Sequence, residues 1–284
     1  KTLIVRADMT KIRFATYNVC AEHCPKLRAW SYRVSRVTAV IKSKNPDVVT
    51  LQETGGYTRL TSLTSRMKSS GYTRVRGGSS RWIFYRTATM SARDYKGAAL
   101  YGKTVHVQYG SNGKRQAIPI QLLRQTSTNA RVLVVNFHLQ ALDFTTKDQA
   151  RLSEFRQVSN SIASFRKTYP TIPVVKAGDF NSLLHGNTRY DSDSARWRVY
   201  NQIKSDGYKD ARTSARSTSN ASASSLNKMS DDRRRFPPSF QLDHIFVQRN
   251  AIVTAWGLLT RNVSYGSQYS DHDMIWADVS LRSR

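Results

Sequence analysis

Six short stretches hold the side chains able to do chemistry: Thr16-Tyr17-Asn18, Leu51-Gln52-Glu53, Asn136-Phe137-His138, Gly178-Asp179-Phe180-Asn181, Leu242-Asp243-His244 and Ser270-Asp271-His272. Each stands where a β-rich apolar run stops on an Asn, Asp, Glu or His. In layered α/β proteins ligands and catalytic groups gather at strand ends. Carboxylate and amide oxygens suit a hard cation such as Mg²⁺, and imidazole suits proton transfer near neutrality. In a chain of net charge +26, this set points to a metal-dependent attack on a phosphate ester.

Glu53 ends an apolar strand beside the strand that ends at Asn18, which makes it the natural metal ligand. His272, between Asp271 and Asp273, is the candidate general base, since a carboxylate partner could fix its tautomer. Strand alternation puts Asp243, Ile245 and Val247 on one face and Leu242, His244 and Phe246 on the other. His244 is therefore assigned to structure. Asp179 and Asn181 share one side around an inward Phe180, so both can reach one phosphate. Val132, Val134, Asn136 and His138 alternate onto one face, leaving a polar pair at the end of an apolar stripe. His23, His106 and His185 match no pattern.

Taken in order, these stretches resemble the endonuclease/exonuclease/phosphatase superfamily, which includes deoxyribonuclease I, abasic-site endonucleases, bacterial sphingomyelinases and the nuclease subunit of cytolethal distending toxins. The resemblance runs over roughly residues 11–281. It implies an α/β fold: a four-layer sandwich of two packed mixed β-sheets flanked by helices. It implies a metal held by Glu53, Asn18 and Asp271, with Mg²⁺ as the cofactor, Mn²⁺ as a substitute and Ca²⁺ as an alternative. It pairs Asp243 with His272, and gives Asp179 and Asn181 the nucleophile and a phosphoryl oxygen. His138 resembles the histidine that deoxyribonuclease I, sphingomyelinases and the toxin nucleases place on the leaving-group side, and which abasic-site endonucleases lack. No carboxylate partner for it is evident in the sequence. Arg115 resembles the family's phosphate-contacting arginine. The arginine that deoxyribonuclease I places just after its metal-ligand glutamate is absent, because Glu53 runs into Thr54-Gly55-Gly56.

The elements that must position these residues follow from periodicity. Strands are expected at Ile12–Val19, Asp47–Glu53, Trp82–Arg86, Thr104–Tyr109, Gln116–Arg124, Arg131–Leu139, Ile172–Phe180, Gln241–Val247, Ile252–Leu259 and Asp273–Leu281. Helices are expected on Trp30, Val34, Val37 and Ile41, on Leu60, Leu63 and Met67, on Leu152, Phe155, Val158, Ile162 and Phe165, and over Ala195–Lys204. The Ser/Thr/Ala-rich stretch from Arg212 to Ser225, with the arginines that follow it, reads as a mobile basic loop over about 212–240. No Pro/Gly-rich linker divides the 284 residues, so one domain spanning 1–284 is expected.

Composition narrows the partner. With 45 basic and 19 acidic residues, the field attracts polyanions, nucleic acid foremost and anionic membrane second. No apolar run reaches the ~20 residues of a membrane span. Cys20 and Cys24 close a short loop in which a disulfide, a zinc site with Glu22 and His23, and two free thiols are the alternatives. The reading is a secreted, monomeric nuclease acting on DNA, with RNA as the alternative substrate. A sphingomyelinase-type phosphodiesterase is the runner-up, with Trp256-Gly257-Leu258-Leu259 its one candidate for a membrane-entering hairpin. A basic binding module without activity is the third class.

Overall fold

The computed structural model describes residues 9–22, 24, 26–109, 114–141, 148–182, 198–227, 241–259 and 268–282. In chain order the elements are β1 (Met9–Asn18), α1 (Trp30–Lys44), β2 (Val48–Gln52), α2 (Tyr57–Ser69), β3 (Tyr72–Gly78), β4 (Arg81–Arg86), β5 (Met90–Ser91), β6 (Gly102–Tyr109), β7 (Lys114–Gln125), β8 (Arg131–His138), α3 (Asp148–Thr168), β9 (Val174–Asp179), α4 (Arg198–Ser205), β10 (Tyr208–Asp210), α5 (Ala211–Ser214), β11 (Ser217–Ser219), β12 (Asp243–Gln248), β13 (Ile252–Leu258) and β14 (Ile275–Arg282). They build two seven-stranded mixed sheets. The first runs β11-β13-β14-β1-β2-β4-β3; the second runs β10-β12-β9-β8-β7-β5, with β6 paired to β7.

Alternation within single strands sorts the core into layers. In β8, Val132 and Val134 face the first sheet and pack with Ile12, Phe14, Val48, Ile275 and Val279. Leu133, Val135 and Phe137 face the other way, onto Leu152, Phe155, Val158 and Ile162 of α3. On the far side of the first sheet, Ala15, Val49 and Leu51 meet Val34, Val37 and Ile41 of α1 and Leu63 and Met67 of α2. The result is the expected four-layer α/β sandwich. Each fully buried aliphatic or aromatic side chain contributes roughly 1.5–3 kcal/mol, so these three clusters hold the layers. Asn45, with φ 47°, takes the left-handed cap that ends α1 ahead of Pro46.

Part of the expected loop over 212–240 is built structure instead. α5 and β11 lie within it, and β11 pairs in parallel with β13. Ser225 and Asn227 are buried. Their polar groups have protein partners: the Ser225 hydroxyl accepts from the N–H groups of Leu242 and Asp243 at 3.1 Å each. Low hydrophobicity there reflects a polar segment whose bonds are internal. Residues 228–240 lie outside the described set, as do His23, His185 and residues 110–113. Trp256 and Leu258, from the candidate hairpin, are 1% and 0% exposed inside the inter-sheet core.

Candidate active site

Register places the chemistry at one end of both sheets. β1 and β2 run parallel with Asn18 opposite Gln52, so Asn18 and Glu53 leave the first sheet together. β8 and β9 run parallel with His138 opposite Asp179, and β12 runs antiparallel to β9 with Asp243 opposite Asp179. His138, Asp179 and Asp243 therefore stand in a row across three neighbouring strands. β14 is antiparallel to β1 with Ile275 opposite Thr16, so Ser270-Asp271-His272 arrives at the same end.

Glu53 and Asp179 meet across the two sheets. The Asn18 Nδ2 donates to Glu53 Oε1 at 2.8 Å and to Asp179 Oδ2 at 3.1 Å, while its Oδ1 accepts from the Cys20 N–H at 3.1 Å. The same two carboxylate oxygens lie 3.7 and 3.8 Å from His138 Nε2. Two carboxylate oxygens sharing one amide donor form an oxygen-rich spot suited to a hard cation, with Glu53 the more open of the two. Asn18 thus stands between the two carboxylates, with its nitrogen toward both acids and its oxygen on the Cys20 N–H. Reversing the amide would set its oxygen against two anions.

The backbone is held out of its usual range here. Cys20, Glu53 and Asn181 have φ of 42°, 52° and 47°. Asn tolerates the left-handed region, whereas for other residues it costs about 1–2 kcal/mol, so the turn at Glu53 is one the surroundings must enforce. Gly178 has φ +142°, and a Cβ there would lie 1.9 Å from the Phe137 carbonyl oxygen. Only glycine lets β9 approach β8 this closely just before Asp179.

The dyad expected from sequence is formed: His272 Nδ1 is 2.7 Å from Asp243 Oδ2, both buried. His272 Nε2 points toward Asp179 Oδ2 at 3.7 Å. Burial alone would push the His272 pKa down, but Asp243, Asp179 and Asp271 together raise it well above the ordinary value. For Asp179, burial raises the pKa and the His272 charge opposes that rise. His138 is pushed well below its ordinary value by burial, then by the Arg81 and His272 cations. Asp179, Asp243 and His272 cluster closely enough to suggest a metal trio. Because His272 Nδ1 is bound to Asp243, the geometry is that of an acid–base pair facing a second carboxylate, Asp179.

Asn181 donates its backbone N–H to Asp179 Oδ1 at 2.9 Å and one amide hydrogen to Leu139 O at 2.9 Å. Its second amide hydrogen is available for a phosphoryl oxygen. Asp271 stands next to Cys20 and Cys24. Its carboxylate is within 4.8 Å of the Cys20 and Cys24 sulfurs and accepts from the Ser270 hydroxyl, and no described contact joins it to Glu53. It acts on the site through charge on His272. The Cys20 and Cys24 sulfurs lie 2.02 Å apart, a disulfide distance. Arg115 is exposed in β7, and no described contact brings it to the cluster.

His244 is structural, as alternation requires: Nδ1 meets Asp210 Oδ2 at 2.8 Å, Nε2 meets Ser182 O at 3.1 Å, and its ring packs on Phe246. Sequence reasoning missed Arg33. Buried in α1, it donates to the carbonyls of Val19, Cys20, Arg28 and Tyr269, tying the Asn18 strand end to the loop that carries His272. An arginine four residues before Val37, on the same buried stripe, was the available signal. Asn227 was also missed; its Nδ2 donates to Ser270 O and Asp273 Oδ1 at 3.2 Å each.

Two packed mixed sheets with carboxylates, amides and two imidazoles at one shared end define the deoxyribonuclease I-like class of fold. A family model agrees: the endonuclease/exonuclease/phosphatase family matches residues 15–272, and the chain belongs to that family. Its enzymes hydrolyse phosphoester bonds. Carbon catabolite repressor protein 4 homolog 3 of Arabidopsis thaliana is 25% identical over 164 residues, 54% of this chain and 33% of that protein. The chain thus spans a third of the length of that relative. Among solved structures, a mannosyl-6-phosphatase from Bacteroides thetaiotaomicron superposes with a TM-score of 0.72 at 17% identity, covering 94% of this chain and 99% of the other. D. rerio TDP2 complexed with single strand DNA product superposes with a TM-score of 0.66 at 16% identity, covering 95% and 99%. These likenesses carry the fold.

Proposed function

We propose that this protein is a secreted, monomeric, Mg²⁺-dependent endonuclease that hydrolyses DNA. The observation that carries the substrate is the net charge of +26, which a polyanion uses and a zwitterionic lipid does not. The solved likeness to a TDP2 bound to single strand DNA product supports a nucleic-acid substrate on this fold. The disulfide supports an oxidising compartment.

Glu53, aligned by Asn18 and adjacent to Asp179, is the residue to hold Mg²⁺, which would neutralise charge on the phosphoryl oxygens when bound. The rest falls to the chain's own groups. A water within hydrogen-bond reach of both His272 Nε2 and Asp179 Oδ2, 3.7 Å apart, would give its proton to His272 as it attacks phosphorus. Asp243 holds His272 with Nδ1–H toward the carboxylate, leaving Nε2 as the basic atom. The free amide hydrogen of Asn181 serves a phosphoryl oxygen. His138 Nε2–H serves the departing oxygen with a hydrogen bond or a proton as the P–O bond breaks. Arg115 and the other arginines serve flanking phosphates.

The test offers plasmid DNA, RNA and sphingomyelin vesicles side by side, with Mg²⁺ or EDTA, at low and moderate salt. Plasmid nicking that needs the metal is expected. Its log–log salt slope should be roughly −0.9 per neutralised phosphate contact. Efficient sphingomyelin cleavage beside negligible nicking would overturn the assignment, and preferential RNA hydrolysis would move it to a ribonuclease.

A further inference from the structure

The two histidines of the site are held by different means. His272 has a carboxylate on its ring. His138 has no hydrogen bond to its ring among the described residues; its nearest acids stand at 3.7 and 3.8 Å. Its orientation must come through its main chain, and there the structure has built a buried ring of bonds. Where β8 leaves the sheet, Leu139 N–H donates to Asp179 O, but Phe180 N–H turns away to Leu242 O. The His138 carbonyl is met instead by Arg81, from the opposite sheet, with Nη2 at 2.9 Å and Nε at 3.3 Å.

Arg81 is itself braced. Nη1 donates to Ser79 O at 2.6 Å and Nη2 to Gln116 Oε1. Gln116 Nε2 donates to Glu154 Oε2 at 2.8 Å, and the same oxygen accepts from the backbone N–H of Gln140 at 3.1 Å. The chain of bonds thus closes from the His138 carbonyl through Arg81, Gln116 and Glu154 back to the main chain two residues beyond His138. Glu154 is fully buried and Arg81, Gln116 and Gln140 nearly so. Nothing in the hydrolytic steps uses this carboxylate. A lysine could not replace Arg81, because one ammonium cannot present a planar fork to one carbonyl while reaching two further acceptors.

We propose that Arg81, braced by Glu154 through Gln116, is a positioning residue for His138, fixing the main chain so that the imidazole faces Glu53 and Asp179 on the leaving-group side. This rests on the leaving-group role of His138 proposed above. A displacement of about 1 Å at a reacting group can cost on the order of 10²-fold in rate. The ring is therefore expected to matter in kcat and not in binding.

The test compares two oligonucleotides with Mg²⁺ present, one with its ordinary scissile oxygen and one with a bridging sulfur as the leaving atom. Thiolate departs with little need of a proton, so the oxygen-to-sulfur ratio of kcat reads the leaving-group step alone. His138→Ala should lower that ratio by about two orders of magnitude. Arg81→Met and Gln116→Leu should lower it by about tenfold or more, with KM within about threefold. Glu154→Gln keeps an oxygen acceptor for both donors and should stay near wild type. Should Arg81→Met fail to fold by circular dichroism, Arg81→Lys and Gln116→Leu carry the same comparison. Equal losses on both substrates, or none, in the Arg81 and Gln116 variants while His138→Ala lowers the ratio would overturn this inference alone. An unchanged ratio in His138→Ala would sink the reading of His138 and this inference with it.

Discussion

Asp243→Asn isolates what the carboxylate does for the base. The bond it removes runs 2.7 Å from Asp243 Oδ2 to His272 Nδ1 between buried groups. Hydrogen bonds to charged groups contribute about 1.5–3 kcal/mol, so kcat should fall roughly 10- to 150-fold if orientation is all that is lost. The loss grows if the new amide presents its N–H₂ to Nδ1, because the proton then moves to Nε2 and the basic atom disappears. The pH dependence has a definite sign. Burial pushes the His272 pKa down, and Asp243 is the leading group that raises it. A general base acts only when neutral, so activity falls as pH drops through its pKa. Removing the Asp243 charge lowers that pKa, and the acid limb of the rate profile should move to lower pH. The assay is kcat for Mg²⁺-dependent cleavage of an oligonucleotide from pH 5 to 9, beside His272→Ala, which should lose at least about two orders of magnitude. An Asp243→Asn plateau within about twofold of wild type, or an acid limb that moves upward, would refute the dyad.

Three other perturbations test other parts. Glu53→Ala should abolish cleavage as fully as EDTA does, with added Mg²⁺ or Mn²⁺ restoring the chelated wild type and not the variant; activity in EDTA with no carried-over metal would end the metal reading. Gly178→Ala should destabilise the fold by about 3 kcal/mol or more, since its Cβ would overlap the Phe137 carbonyl; a thermal midpoint close to wild type would contradict the close approach of β8 and β9. Lys176 is buried under Phe155 and Tyr208, and burial lowers its pKa from 10.5 to about 7. The unfolded chain then binds the extra proton between about pH 7 and 10.5, so this residue's contribution to stability rises with pH across that window and is least below it. Lys176→Met should remove that rise and stabilise most at pH 6, by on the order of 5 kcal/mol as an upper bound; equal gains at pH 6 and pH 10 in denaturant melts would falsify the assignment.

The site was legible in the sequence wherever an apolar strand stops at a polar residue, because alternation fixes which face that residue takes. Asp243 against His244 is the clearest case: one-residue parity separated the inward carboxylate from the histidine that packs on Phe246. Orientation within the site was less legible. Asn18 turns its nitrogen toward Glu53 because Cys20, in a left-handed turn, places its N–H on the amide oxygen, and no periodicity encodes such a turn. The segment from Arg212 to Asn227 was misread because composition does not distinguish a polar residue facing water from one whose bonds are met inside. Ser225 and Asn227 are of the second kind. Arg81 was illegible for a related reason: it opens β4 and reaches across to the His138 strand end of the other sheet, which no pattern along the chain encodes.

The distribution of polar bonds between the sheets explains how two separate strand systems hold one site. Most of the inter-sheet layer is aliphatic, and such contacts are non-directional; they favour stacking without setting how far one sheet slides along the other. At the catalytic end the contacts change character. Gln52 Nε2 donates to Asn136 Oδ1 at 2.7 Å, Asn18 Nδ2 to Asp179 Oδ2 at 3.1 Å, and His272 Nδ1 meets Asp243 Oδ2 at 2.7 Å. The first two join a residue of the first sheet to one of the second, and the third joins the loop ahead of β14 to the second sheet. Asn136 also donates to the carbonyls of Leu51 and Trp82 at 2.9 and 3.0 Å, so one side chain bonds to three residues of the facing sheet. A slide of even one ångström would leave several of these buried groups unpaired, at about 1–3 kcal/mol each. The bonds that align the catalytic groups are therefore the ones that fix the sheets, and a loss of alignment is also a loss of stability.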